Sequence, residues 1–295
     1  MKIFALIALS LFSSLFATDY QFIEKNRHVF LEGEARMTGK ADFESHHNGH
    51  LYYADSLDSL YLSHTFKKKN TLSWQLGYSY LRLNWDNNPR FQQKNFSYFL
   101  TSLGWISTSI DQWRWIFNGG VSVDAEMLNF AKSAVYWGLM WGRFQYTDAF
   151  ALHVGFFGYV GVRNSYGLPI LGIDWKWTPK WKLSIVFPID GSIQYQFDKW
   201  WNLALKYTGF GGPYRYPRRV HSNETSGFKA AIFEVFSTGF ELDLNYKYEN
   251  RIGFGLGGGW NLGGWILTKD AHNHHGKYFH FNGSPYGQAN LFLNF

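Results

Sequence analysis

Hydrophobic and polar positions alternate along most of this chain. Leu72, Trp74, Leu76, Tyr78 and Tyr80 share one phase, with Ser73, Gln75, Gly77 and Ser79 between them. A period of two sets one group on each face of a strand. Trp113, Trp115, Phe117, Val121 and Val123 oppose Arg114, Asn118 and Ser122 in the same way. Leu171, Ile173, Trp175 and Trp177 oppose Gly172, Asp174 and Lys176, and Phe240, Leu242, Leu244, Tyr246 and Tyr248 oppose Glu241, Asp243, Asn245 and Lys247. Ile252, Phe254, Leu256 and Trp260 then oppose Gly253, Gly255, Gly257, Gly259 and Asn261. The pattern predicts about fourteen strands, with twelve to sixteen compatible, at 28–39, 57–66, 71–83, 95–109, 113–123, 133–146, 150–163, 169–177, 181–189, 191–197, 200–208, 227–249, 251–262 and 285–295. After Tyr80 the apolar phase passes to Leu81, Leu83 and Trp85, which predicts a bulge. Pro188 predicts a bulge or an early strand end.

The connections are of two kinds, and the kinds alternate. Short ones fall at 67–70, 111–112, 147–149, 178–180, 198–199 and 250, and long polar ones at 40–56, 84–94, 124–132, 209–226 and 263–284. A transmembrane β-barrel has this pattern, with tight turns at one rim and long loops at the other. Trp74, Trp113, Trp115, Trp177, Trp181, Trp200 and Trp201 sit beside the short turns. Indoles prefer the membrane–water interface. A soluble β-sandwich would bury its tryptophans in mid-strand, so the barrel is the better reading. The expected fold is all-β, an antiparallel transmembrane barrel.

Composition sharpens this picture. Aromatics are 21% of the 295 residues, more than a soluble core needs, and charged residues are only 17%. There is no cysteine, so disulfide and thiolate chemistry are excluded. Lys2 followed by the apolar run from Ile3 to Phe16, with Ala17 and Thr18 after it, reads as a secretory signal peptide, residues 1–17. A single domain, 18–295, follows. Beyond the signal no apolar run is long enough for a spanning helix.

The last ten residues, YGQANLFLNF, place Gly287, Ala289, Leu291, Leu293 and Phe295 on one face and stop on a bare aromatic. This stretch resembles the C-terminal signal of bacterial outer-membrane β-barrel proteins. Leu291, Leu293 and Phe295 match its alternating and terminal positions, and Gly287 its small one. The resemblance covers the whole chain and implies an architecture rather than an activity. It implies the outer membrane of a diderm bacterium, insertion by the barrel-assembly machinery, and contact with outer-membrane lipids and lipopolysaccharide.

Three features could carry function. Seven of the 11 histidines lie in two loops, His46, His47 and His50 in the first and His272, His274, His275 and His280 in the last. Loops from neighbouring first and last strands could converge, and imidazoles with Asp42, Glu44 or Asp270 could bind zinc, copper, nickel or haem. Neither loop has a metal-site spacing, and histidine is also an ordinary loop residue. Arg215, Arg218 and Arg219 interleave with Tyr214 and Tyr216, a combination suited to anionic glycan or lipopolysaccharide phosphate, or simply to a solvated loop. Third, with the aromatic phase toward lipid, Arg114, Asp174, Lys176, Lys182, Lys206, Glu241, Asp243 and Lys247 line the lumen. Mixed charge and glycine there suit a water-filled pore, although opposite charges could also pair and close it.

Other motifs carry less. Gly253 to Gly258, GFGLGG, matches the dinucleotide fingerprint by letter but sits on a strand with no helix after it. His64 with Ser63 and Thr65 suggests a lipid hydrolase by composition alone, on the short-turn side. The modest net charge of +6 on an exported protein argues against nucleic-acid binding. The expected function is a porin-like channel for small hydrophilic solutes, not an enzyme and without a resident cofactor. The alternative is a surface binding protein that uses the barrel as an anchor.

Overall fold

The computed structural model describes residues 27–44, 49–66, 69–86, 94–126, 128, 130–161, 165–188, 190–215, 230–249, 251–270 and 276–295. The expected signal peptide lies outside them. The strands are β1 (Arg27–Thr38), β2 (Ala41–Asp42), β3 (His50–Phe66), β4 (Asn70–Trp85), β5 (Asn95–Ser107), β6 (Trp113–Asp124), β7 (Val135–Thr147) and β8 (Phe150–Val160). They continue as β9 (Ser165–Trp175), β10 (Trp181–Phe187), β11 (Asp190–Gln196), β12 (Trp201–Arg215), β13 (Ala230–Tyr248), β14 (Ile252–Asp270), β15 (Lys277–Phe281) and β16 (Ser284–Asn294). One helical turn, α1 (Phe130–Ser133), precedes β7. All but the short β2 and β15 form a closed antiparallel barrel of 14 strands, each matching a strand predicted from the alternation.

Closure runs through β1, which pairs with β3 on one side and β16 on the other. In lipid an unpaired edge would leave a row of backbone groups with no water to satisfy them. The chain's last residue is held in this ladder: Phe295 N–H donates to Val29 C=O at 2.9 Å, and Asn294 N–H to Arg251 C=O at 2.7 Å. The Phe295 ring stays on the outer surface, 67% exposed, as a lipid-facing side chain should be.

Burial separates the two faces. On β1, Val29, Leu31 and Met37 are exposed, whereas His28, Phe30, Arg36 and Thr38 are buried. The outer surface is a belt of exposed leucine, isoleucine, phenylalanine and tryptophan. Aromatics gather beside the short turns, with Trp113 stacked on Trp115 at 5.0 Å, Trp177 on Trp181 at 5.8 Å, and Trp201 against Tyr246 at 4.8 Å. Two indoles of this girdle are also paired: Trp74 Nε1–H donates to Thr101 Oγ1 at 2.8 Å and Trp105 Nε1–H to Asn70 Oδ1 at 3.3 Å. That is the interfacial role expected of them.

The phase change after Tyr80 has a different cause from the expected bulge. The β3–β4 register runs without a shift from Leu51 opposite Trp85 to Phe66 opposite Asn70, and β4–β5 is equally regular there. What changes is the surroundings. Up to Tyr80 the apolar side chains face out, toward lipid. Beyond it Leu81, Leu83 and Trp85 face in and are buried, while Asp86 is exposed. On the paired strands Leu51, Tyr53, Phe96 and Tyr98 are buried on the same inner side. The strands have risen above the membrane, where water lies outside and the apolar face must turn inward. Register shifts do occur between β7 and β8 and between β13 and β14. β10 ends at Phe187, just before Pro188.

The inward glycines of β14 let larger neighbours lie across the strand. A Cβ on Gly257 would collide with the Asp243 carboxylate, and one on Gly253 with the Phe292 ring. Replacing Gly257 by Val is expected to destabilise the folded barrel by about 1–3 kcal/mol through overpacking, measured as a lower urea midpoint in micelles.

Candidate functional site

The barrel interior changes character along its axis. At the long-loop end it is apolar. Leu51, Tyr53, Leu81, Leu83, Trp85, Phe96, Tyr98, Val235, Ile266 and Tyr286 form one buried cluster with Ala41, Phe43, Phe279 and Phe281. Phe43 stacks on Trp85 at 4.5 Å, and Trp85 meets Phe279 edge-on at 4.9 Å. A second cluster, Val135, Leu139, Phe157, Tyr159, Ile170 and Val186, covers the inner face of β7 to β10. A barrel of this many strands has room for a lumen, yet this outer part is packed like a core.

Below the apolar zone the interior carries charge, mostly acidic on one side and mostly basic on the other. One arc, on β1, β3, β12 and β13, carries Glu32, Glu34, Asp55, Glu241 and Asp243, with Arg36 and Lys206 among them. Lys206 Nζ lies 2.5 Å from Asp243 Oδ2 and 4.0 Å from Glu241 Oε1. Gln288, reaching over the glycines of β14, donates to Glu241 Oε1 at 2.5 Å and to both Asp243 oxygens at 3.2 Å. Arg36 pairs with Glu34 at 2.8 Å and donates to Gly209 C=O at 3.5 Å. Around the wall, β1 and β12 are four strand spacings apart, roughly 19 Å. One side chain spans that gap, so the wall curves tightly here and the lumen is narrow.

The other arc, on β6 to β10 and nearer the short turns, is basic around Asp174. Arg114 stands opposite Arg143 in the register. Asp174 accepts from Ser184 Oγ at 2.8 Å and from Arg143 Nε at 3.2 Å. Lys182 Nζ lies 3.8 Å and His153 Nε2 3.4 Å from its Oδ2. Trp141 Nε1–H donates to His153 Nδ1 at 3.0 Å, which makes Nδ1 the acceptor and leaves the ring proton on Nε2, toward Asp174. On β3 to β5, at the level of Lys206, the interior is neutral and polar. There Gln75 donates to Ser59 Oγ and the Tyr61 hydroxyl and accepts from Ser102.

Of the residues expected in the lumen, Arg114, Asp174, Lys182, Lys206, Glu241, Asp243 and Lys247 lie at inward register positions. Lys176 does not: it is exposed, one residue past the end of β9. Glu32, Glu34, Arg36, Asp55, Arg143 and His153 were not singled out from the sequence. Their phase was readable, since Glu32, Glu34 and Arg36 alternate with Leu31, Ala35 and Met37, but their cross-strand partners were not.

At the outer rim the first and last loops meet. Phe43 bridges to Phe281, Glu44 N–H donates to His280 C=O at 3.0 Å, and Asn282 N–H to Asp42 C=O at 2.8 Å. His50 Nδ1 lies 2.7 Å from Asp42 Oδ1. Of the other histidines named for a metal site, His46, His47, His272, His274 and His275 lie outside the described residues, as do Arg218 and Arg219. Among the described residues no group of three or more metal-ligating side chains comes together. His64 lies on the outer face against Phe66, whereas Ser63 and Thr65 point inward and Thr65 bonds Thr71 at 2.9 Å. The three do not converge.

Removing a cation from a buried charge cluster leaves its carboxylates uncompensated. Replacing Lys206 by Met is expected to destabilise the barrel by about 3 kcal/mol, and adding Asp243→Leu to recover part of that loss, both read from urea unfolding in micelles.

No protein-family model matches this chain. An uncharacterised protein of Chlamydia pneumoniae is 26% identical over 208 residues, covering 70% of this chain and 63% of its own length. One from Chlamydia trachomatis serovar D is 27% identical over 210 residues, covering 70% of this chain and again 63% of its own length. The chain therefore spans just under two thirds of the curated relatives it matches. Among solved structures, the deltaS2 mutant of the monoaromatic hydrocarbon channel TodX has a TM-score of 0.51 at 8% identity, covering 93% of this chain and 91% of that one. At that identity the likeness is one of fold, and the fold is that of an outer-membrane β-barrel.

Proposed function

We propose that this protein is an outer-membrane channel for small hydrophilic solutes, with its packed outer interior acting as the barrier that limits flow. The observation that carries this reading is the unequal charge of the lining below the apolar packing, mostly acidic on β1, β12 and β13 and mostly basic, nearer the short turns, on β6 to β10. A barrel used only as an anchor gains nothing from holding an acidic arc and a basic arc on facing walls. A conduit does gain, because a charged lining offers polar solutes a substitute for water and sets ion preference. TodX, which shares the fold, is itself a channel. The protein would reach the membrane through a cleaved signal peptide and the barrel-assembly machinery.

A second reading has one observation in its favour, the joining of the first and last loops at the rim through Phe43 and Phe281. That contact joins described residues that flank two histidine-rich segments, and it supports a surface site for zinc, copper or a similar ligand. Its signature would be metal-dependent thermal stabilisation of the folded protein.

Conductance in planar bilayers tests the channel. The wild-type protein is expected to give discrete steps. Replacing Trp85 and Phe279 by Ala should enlarge them several-fold by thinning the outer packing. Replacing Asp243 by Asn should move the reversal potential in a salt gradient toward anions. Silence from both the wild-type and the Trp85/Phe279 variant, each shown folded by heat-modifiable gel mobility, would overturn the proposal.

A further inference from the structure

The charge of the inner wall is least balanced next to the short turns. Arg114 and Lys182 are the second residues of β6 and β10, and Asp174 and Lys247 are the last but one of β9 and β13. Arg143 is the fifth residue from the end of β7. All five stand at inward positions. Among the described residues, Asp174 is the only carboxylate side chain at an inward position within five residues of the short-turn end of any barrel strand. The turns beyond carry both signs, Asp111, Asp148 and Asp198 with Lys69, Lys180 and Lys199, so the surplus belongs to the wall. The acids of β1, β3 and β13 lie higher, with Arg36 and Lys206 among them.

Around Asp174 the donors outnumber the places that can receive them. Its Oδ2 has Arg143 Nε at 3.2 Å, His153 Nε2 at 3.4 Å and Lys182 Nζ at 3.8 Å, while Ser184 takes Oδ1. One carboxylate oxygen offers about two lone pairs. His153, its side chain 3% exposed, points Nε2 at that oxygen without completing a hydrogen bond. Arg143 also donates through Nη1 to Gln145, and nothing among the described residues accepts from its Nη2. Its side chain is 31% exposed and so open to the lumen. Arg114 stands directly opposite Arg143, and like charges so placed repel. Asp174 lies three strand spacings from Arg114, roughly 14 Å around the wall. The resident carboxylate therefore offsets Arg143 and Lys182 more than it offsets Arg114.

A second oxyanion answers each of these features. Carboxylate and phosphate oxygens can meet two guanidinium N–H groups at once, and both groups carry the charge that the arginine pair lacks. We propose that the basic wall at the short-turn mouth is a binding site for the carboxylate or phosphate group of a solute, held by Arg143, Lys182 and Arg114. Asp174 positions Arg143 and Lys182 and competes with the incoming anion for them. The part this site plays in passage rests on the channel reading, but the binding itself does not.

Inorganic phosphate and acetate are the probes, added at millimolar concentration to the folded full chain in micelles, with chloride at equal ionic strength as the reference. Such additions stay below the range in which phosphate stabilises proteins as an excluded salt. At least one probe is expected to raise the melting temperature saturably, and which one acts tells carboxylate from phosphate. Arg143→Gln should weaken that binding by about tenfold or more, through loss of a charge-assisted pair. Asp174→Asn should tighten it several-fold because the competing carboxylate is gone, whereas a merely structural Asp174 would give no gain. Lys277→Gln, at the far rim, should change nothing. In planar bilayers the bound probe should reduce the chloride conductance of the wild type more than that of Arg143→Gln. Silent bilayers with intact binding would remove the channel reading and leave the site standing. If Arg143→Gln does not fold, Lys182→Gln takes its place. A wild type that responds to neither probe, or a folded variant that responds as the wild type does, would overturn the proposal.

Discussion

Backbone satisfaction is the constraint on which the rest of this structure depends. Within lipid every N–H and C=O needs a protein partner, and a sheet meets that demand only by closing. Closure explains why β1 pairs with both β3 and β16. It explains why the final strand is ordered to its last residue and why the terminal Phe295 amide is bonded rather than frayed. With an even number of antiparallel strands both ends of the barrel also fall at the same rim, the rim of tight turns and tryptophans.

Closure creates an interior, and this one is not uniform. Near the short turns of β6 to β10 it is mostly basic. Higher up it is mostly acidic on β1, β12 and β13, with Arg36 and Lys206 among the acids, and neutral around Gln75. Near the long loops it is apolar and packed. The sequence supports each zone differently. The glycines of β14 vacate space into which Asp243, Gln288 and Phe292 lean. The charged zone depends on cross-wall contacts such as Arg36 to Gly209. The apolar zone depends on Phe43, Phe279 and Phe281, which β2, β15 and their flanks add to the barrel strands.

Much of the architecture was legible because period-two alternation names strands directly and the loop lengths name the rims. The interior was legible only in part. Alternation assigns residues to two faces without saying which face meets water, so Leu81, Leu83 and Trp85 looked like a bulge when they marked a change of surroundings. Lys176 has the phase of Asp174 but stands one residue past the end of β9 and is exposed, and phase says nothing about where a strand ends. The hub at Asp174 draws on β7, β8, β9 and β10, and such a gathering needs a register that no local pattern contains.

The reversal of apolar phase above Tyr80 divides the molecule into two parts that belong to different solvents. Below it, side chains on the outer wall touch hydrocarbon whether or not the barrel is complete. Above it, Leu51, Leu83, Phe96 and Phe279 leave water only when the strands come together. The heat capacity of unfolding arises from apolar surface newly given to water. In this protein that quantity therefore belongs mostly to the upper collar. The curvature of stability with temperature measures the portion that stands outside the bilayer, while the embedded wall contributes little to it.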